Sequence, residues 1–310
     1  MPALPGLALV IGGGLVAVAA LAVAELDRRG DLDADPVVLG IGLLVGAIAF
    51  VIGLVYVAVR QIRIRRVLPP ERYRGPSVFI LLALALVVGA VLTVPFAADA
   101  LAIDRGEGDV SLLGSAVILV AVQVGLLVAG YVFVWRPRAL AALPSFPGRD
   151  PLAAILAGLG WGVLAWVGST VALYLVTLLL TAIGQPPRPE PAERAIQMLD
   201  PWLVVIAVAV FAPIAEELFF RGIVFNAWRR EAGRTWAYVG SAALFALIHL
   251  SIVSLLPIFL LGLALAWVYE RTGNLLAPIA MHATVNAISV AIALAVRFGV
   301  LELPVAIIGW

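Results

Sequence analysis

The sequence predicts an all-α fold: a polytopic bundle of about 8–9 transmembrane helices. Three observations carry that prediction. Of the 310 residues, 64% are hydrophobic and only 13% are charged, against roughly 25% charged in a soluble domain. Mean hydropathy is +1.12. Strongly apolar stretches close to the ~20 residues of a spanning helix recur along the chain, separated by short polar connectors. A chain this poor in charge cannot cover a water-exposed surface, so it is an integral membrane protein. A net charge of +1 gives no footprint for nucleic acid. The absence of cysteine excludes a thiol nucleophile, thiolate metal ligands and a disulfide scaffold. All 20 basic residues are arginines, and there are only two histidines.

The apolar stretches run at about 6–24, 37–59, 77–98, 110–135, 152–183, 202–228, 236–250, 253–269 and 275–296. The first contains Ala22-Val23-Ala24, which has the look of a leader cleavage site. No basic residue precedes it and its apolar run is long, so it reads as a retained helix. The 152–183 stretch exceeds one span and must tilt, break or extend past the bilayer. The 236–250 stretch is short for one. Between 186 and 200 a Pro-rich segment leads into a short interfacial helix at 191–199. The even-numbered connectors hold 13 arginines, six of them between Arg60 and Gly75, and the odd-numbered connectors hold five. The positive-inside rule makes the even connectors cytoplasmic.

Polar groups inside a span cost about 2.5–3.5 kcal/mol each on insertion scales and default to functional candidates. Here they crowd into the last third: Glu216, Glu217 and Arg221 in one stretch, His249 in the next, His282 and Asn286 in the last. Glu217 and Arg221 are i,i+4 and can pair on one helix face, which leaves Glu216 free. His282 and Asn286 share that spacing, as do Phe245 and His249. Glu216 sits ~18 Å and His282 ~10 Å from the Arg-rich ends of their helices, so one cavity reached from the cytoplasmic half can hold both. A lone Gln123 in the fourth stretch reads as a structural contact between helices.

Glu216-Glu217-Leu218-Phe219-Phe220-Arg221 fits EExxxR, Phe245 to His249 fits FxxxH, and His282 to Asn286 fits HxxxN. Together, in this order, these motifs resemble the CPBP family (CaaX proteases and bacteriocin-processing enzymes, also called Abi), similar to the Ras-converting CaaX endopeptidases. The resemblance covers about 200–290. It implies an intramembrane endopeptidase in which Glu216 and His249 activate a water while His282 and Asn286 bind the oxyanion. Glu217 and Arg221, with Phe245, support the site; Glu217 could also assist the water. No metal is favoured. If zinc were bound, Glu216, His249 and His282 would be its ligands, but the HExxH arrangement is absent. The implied partners are a membrane-anchored protein or peptide substrate and the bilayer itself.

The expected organisation is 1–145 as transmembrane helices without a recognised motif, 150–298 as the protease core and 299–310 as a short tail. The lysine-free, Ala/Val/Leu/Arg-rich composition points to a high-GC prokaryote and its plasma membrane. Two alternatives fit the same buried cluster: an ion-coupled transporter, although no internal repeat is visible, and a non-catalytic immunity or scaffold protein. The Gly106-Glu107-Gly108-Asp109 string matches GxGD but lies in a polar connector and reads as chance. Gly75-Pro76-Ser77 has no histidine within plausible reach.

Overall fold

A computed structural model describes residues 4–29, 35–105, 108, 110–140, 150–187 and 191–301. Most of the GxGD string, Arg149, Arg188 and the tail from 302 onward lie outside the described residues. Among the described residues the structure is helical and contains no strand.

The chain starts with α1 (Leu4–Arg29) and α2 (Pro36–Arg65), which pair as a hairpin. Helix α3 (Val78–Thr93) continues through one 3₁₀ turn into α4 (Ala97–Arg105). Helix α5 (Leu112–Gly130) ends in a π-helical turn, Tyr131–Trp135. Helix α6 (Pro151–Ala182) is unbroken, and the short α7 (Pro191–Met198) follows it. Next comes one long rod: α8 (Pro201–Val204), a π-helical stretch (Val205–Phe211), α9 (Ala212–Phe219), a second π-helical stretch (Phe220–Phe225) and α10 (Asn226–Glu231). Helices α11 (Arg234–Leu247), α12 (Leu255–Thr272) and α13 (Leu276–Arg297) close the bundle.

Helix starts follow local chemistry. Asp-Pro opens three of them, at 35–36, 150–151 and 200–201. In each pair the Asp side chain accepts a backbone N–H of the first turn and the Pro occupies the position whose N–H would be unpaired anyway. Ser77 and Ser111 cap α3 and α5 in the same way.

Each of the nine apolar stretches is helical, but they are not equal as spans. Among the described residues, seven helices are long and apolar enough to cross a membrane. Helix α11 has 14 residues, or ~21 Å of rise.

Small residues bring the core helices close, as membrane packing requires. A Cβ at Gly158 would lie 2.3 Å from the Ala277 carbonyl, and one at Gly162 would lie 2.5 Å from Thr284 Cβ. Helix α13 therefore lies directly on α6. Phe219, Phe220 and Ile223 of the rod join Phe245 of α11 in the main apolar core. At the Arg-rich end, Arg65 pairs with Glu231 at 2.8 Å and Arg72 donates to the Arg230 carbonyl at 2.7 Å. The second connector is thus latched onto the end of α10.

Candidate active site

The EExxxR segment lies midway along the rod, between its two π-helical stretches. Glu217 and Arg221 are both fully buried. Arg221 Nη1 donates to Glu217 Oε1 at 2.8 Å, and Nη2 donates to the Gly262 carbonyl of α12 at 2.9 Å. Its guanidinium also stacks 4.7 Å over the Phe245 ring of α11. One cation thereby ties three helices together. A buried charge is tolerable only when paired and hydrogen-bonded in this way.

Glu217 Oε1 has a second partner, His282 Nδ1 at 3.0 Å. A carboxylate only accepts, so Nδ1 of His282 carries a proton and Nε2 is turned the other way. There it faces Glu216, with Oε2 3.9 Å away. Glu217 is therefore an anchor for Arg221 and His282, and it does not line the cavity described below.

His249 does not sit on a helix, contrary to the expected 236–250 stretch. Helix α11 ends at Leu247, and the chain turns through His249 and Leu250, the latter at φ 54°. His249 Nδ1 donates to the Phe245 carbonyl at 2.7 Å, since a carbonyl can only accept. In the neutral ring this leaves Nε2 with a free lone pair. Phe245 packs edge-on against both histidines, 4.9 Å from His249 and 5.5 Å from His282.

Asn286 is committed in part. Its Nδ2 donates to the Val208 carbonyl at 2.8 Å. That carbonyl is available for a local reason. In the first π-helical stretch the Ala212 N–H bonds five residues back, to Ala207. The next such bond would run from residue 213 to Val208, and Pro213 has no N–H to give. One amide hydrogen of Asn286 remains for another acceptor.

Glu216, His249, His282 and Asn286 all line one cavity of about 280 Å³. Apart from them and a few further polar groups such as Gln123 and Ser289, its wall is apolar. Gln123 of α5 was expected to be a structural contact. It makes such a contact, its Nε2 donating to Glu216 Oε1 of the rod at 3.2 Å, and it lines the cavity as well. The wall also includes Ala195 and Ile196 of α7 and Ala293 near the end of α13. Arg297 donates to the Ile196 and Leu199 carbonyls, which fixes α7 against that end. The cavity thus runs from the polar cluster toward the α7 end, away from the Arg-rich connectors.

Zinc requires about three protein ligands and an open position. Among the described residues no three His, Asp or Glu side chains are grouped so as to hold a metal ion.

Residues 198–288 match the family model for type II CAAX prenyl endopeptidases, Rce1-like. Three bacterial relatives share 31% identity with stretches of this chain. The protein named "Putative membrane peptidase YdiL" of Bacillus subtilis aligns over 84 residues, 27% of this chain and 34% of its own length. The UPF0177 protein YxdF of Lactococcus lactis aligns over 80 residues, 26% and 44% respectively. An uncharacterized 24.3 kDa protein of Escherichia coli aligns over 131 residues, 39% and 59%. The chain thus spans between about a third and three-fifths of the lengths of these relatives. No solved structure matches. The matched segment contains all three motifs, and over it the chain is similar to the Rce1-like type II CAAX prenyl endopeptidases.

Proposed function

We propose that this protein is an intramembrane endopeptidase that hydrolyses a peptide bond of a membrane-anchored protein or peptide. The observation that carries this reading is the convergence of Glu216, His249, His282 and Asn286 on one largely apolar cavity inside the bundle. The Rce1-like match supports the same reaction class and a substrate of the CaaX type.

In the proposed mechanism a water lies between Glu216 and His249. His249 Nε2 accepts one of its hydrogens and orients it. Glu216 removes the other proton as the oxygen attacks the scissile carbonyl carbon. The C=O π electrons move onto oxygen, where Asn286 Nδ2 and His282 Nε2 donate to the new oxyanion. His282 must carry a second proton to donate from Nε2, and the Glu217 carboxylate on Nδ1 balances that charge. As the tetrahedral intermediate collapses, the C–N bond breaks and Glu216 returns its proton to the leaving amine. The reaction runs on these side chains without a metal. The Arg-rich connectors face the cytoplasm under the positive-inside rule, and the membrane is a prokaryotic plasma membrane.

The test is reconstitution of the purified protein in liposomes with a membrane-anchored peptide ending in a CaaX-type sequence. Mass spectrometry should find one internal cleavage, at a rate that a metal chelator leaves unchanged. Solute or proton flux without any cleavage would sink the endopeptidase reading in favour of a carrier. Loss of cleavage on chelation would overturn the metal-free mechanism.

A further inference from the structure

The motif segment does not build the site alone. Gln123 belongs to α5, outside the matched residues 198–288, yet its side chain meets Glu216 inside the cavity. We infer that Gln123 is a positioning residue: it holds the Glu216 carboxylate in one orientation, with Oε1 bound and Oε2 turned to His282 and the reacting water. This inference rests on the endopeptidase reading.

The terminal torsion of a glutamate side chain is broad and roughly two-fold, so an unrestrained carboxylate does not keep one oxygen on one side. Three groups approach this carboxylate pair from three helices. Arg221 and His282 both bind Glu217 Oε1, which leaves Glu216 without either of them as a hydrogen-bond donor. His282 Nε2, at 3.9 Å from Oε2, is beyond hydrogen-bond length. The Gln123 amide is the hydrogen-bond donor to Glu216 among the described side chains. It binds Oε1 and leaves Oε2 open.

The helix that carries Gln123 is itself held in place close by. A Cβ at Gly125 would lie 2.1 Å from the Ala85 carbonyl of α3, so α5 is seated against α3 two residues away from the glutamine. Leu119, one turn earlier, lines the same cavity. Along α5 only Ser115 and Gln123 are polar, and Ser115 is satisfied within its own first turn by the Ser111 carbonyl. Gln123 instead spends its amide on a side chain 93 residues away. A helix with no recognised motif thereby completes the geometry of the motif helix.

Gln123→Met keeps the side chain's length and removes the donor. Small displacements of a reacting group cost up to about 100-fold in rate. Gln123→Met should lower kcat about 10- to 100-fold, with KM within about 3-fold of wild type and an unchanged melting temperature. In a Glu216→Asp background, whose carboxylate is withdrawn from the amide, the same substitution should have little further effect. Wild-type kcat in Gln123→Met, or an equal loss in both backgrounds, would overturn the inference. A second readout is independent of turnover. The carboxylate stretch of Glu216, assigned by the infrared difference between wild type and Glu216→Gln, should shift in Gln123→Met. An unmoved band overturns the positioning role even if no substrate is ever cleaved, whereas a shifted band with no peptidase activity in wild type upholds the contact and rejects the endopeptidase reading.

Discussion

The spans Val37–Arg65 and Pro201–Glu231 are almost the same length, 29 and 31 residues, and both are strongly apolar, with mean hydropathies of 2.8 and 2.2. Their surroundings differ. In the most apolar window of the first, 17% of residues are buried inside the protein; in the second, 56% are. The first turns residues such as Ile41, Leu44 and Ile52 outward to lipid. The second is enclosed by α5, α11, α12 and α13, and it carries Glu216, Glu217 and Arg221. Hydropathy locates both helices and does not separate them. What separates them is the handful of polar residues, which a bilayer tolerates only where protein surrounds them.

The sharpest way to break this contrast is to remove the cation from the enclosed span. Arg221→Ala strands the buried Glu217 carboxylate and cuts the tie to Gly262 and Phe245. Breaking a buried pair costs about 3–5 kcal/mol, so the variant should be strongly destabilised in a denaturant titration in mild detergent. A melting curve like wild type would mean that the pair does not hold the bundle. Gly162→Leu is a smaller insult to the same region. It forces α6 off α13 at Thr284, and overpacking of this kind costs about 1–3 kcal/mol. It should also lower peptidase activity, because α13 carries His282 and Asn286. At the other extreme, Ile52→Ala on the lipid-facing helix should change stability by no more than about 0.5 kcal/mol and leave activity intact. A large effect there would show that α2 is a structural part of the core.

Much of the architecture is legible in the residues. The apolar stretches mark every long helix, and the i,i+4 spacing of Glu217 and Arg221 anticipates the ion pair that forms. The short helix expected at 191–199 is seen as α7. The span count is less legible, because an apolar run does not state where its helix ends. The run 236–250 stays apolar through Ile248, Leu250 and Ile252, while the backbone turns after Leu247. His249 consequently sits in a turn, held by the Phe245 carbonyl.

Two contacts in the site had no usable signature. Gln123 has no polar neighbour at helical spacing on the cavity side of its own helix, so nothing near it in the chain names Glu216 as its partner. The Asn286–Val208 bond depends on a proline five residues beyond Val208 and on a π-helical register that brings the missing N–H opposite that carbonyl. The proline can be read, but the register cannot. The direction of the cavity is a third case. Depth along each helix puts Glu216 and His282 within one region, while the wall beyond them is set by how α7 folds back and how Arg297 holds it.

In the proposed reaction Glu216 moves the proton of peptide hydrolysis. The most direct measurement compares wild type with Glu216→Gln under single-turnover conditions, on the anchored peptide, with melting temperatures recorded for both. Removal of a general base costs on the order of 10²–10⁴ in rate. The expected result is a loss in that range or greater in a protein that melts like wild type. Cleavage by Glu216→Gln at the wild-type rate would contradict the account.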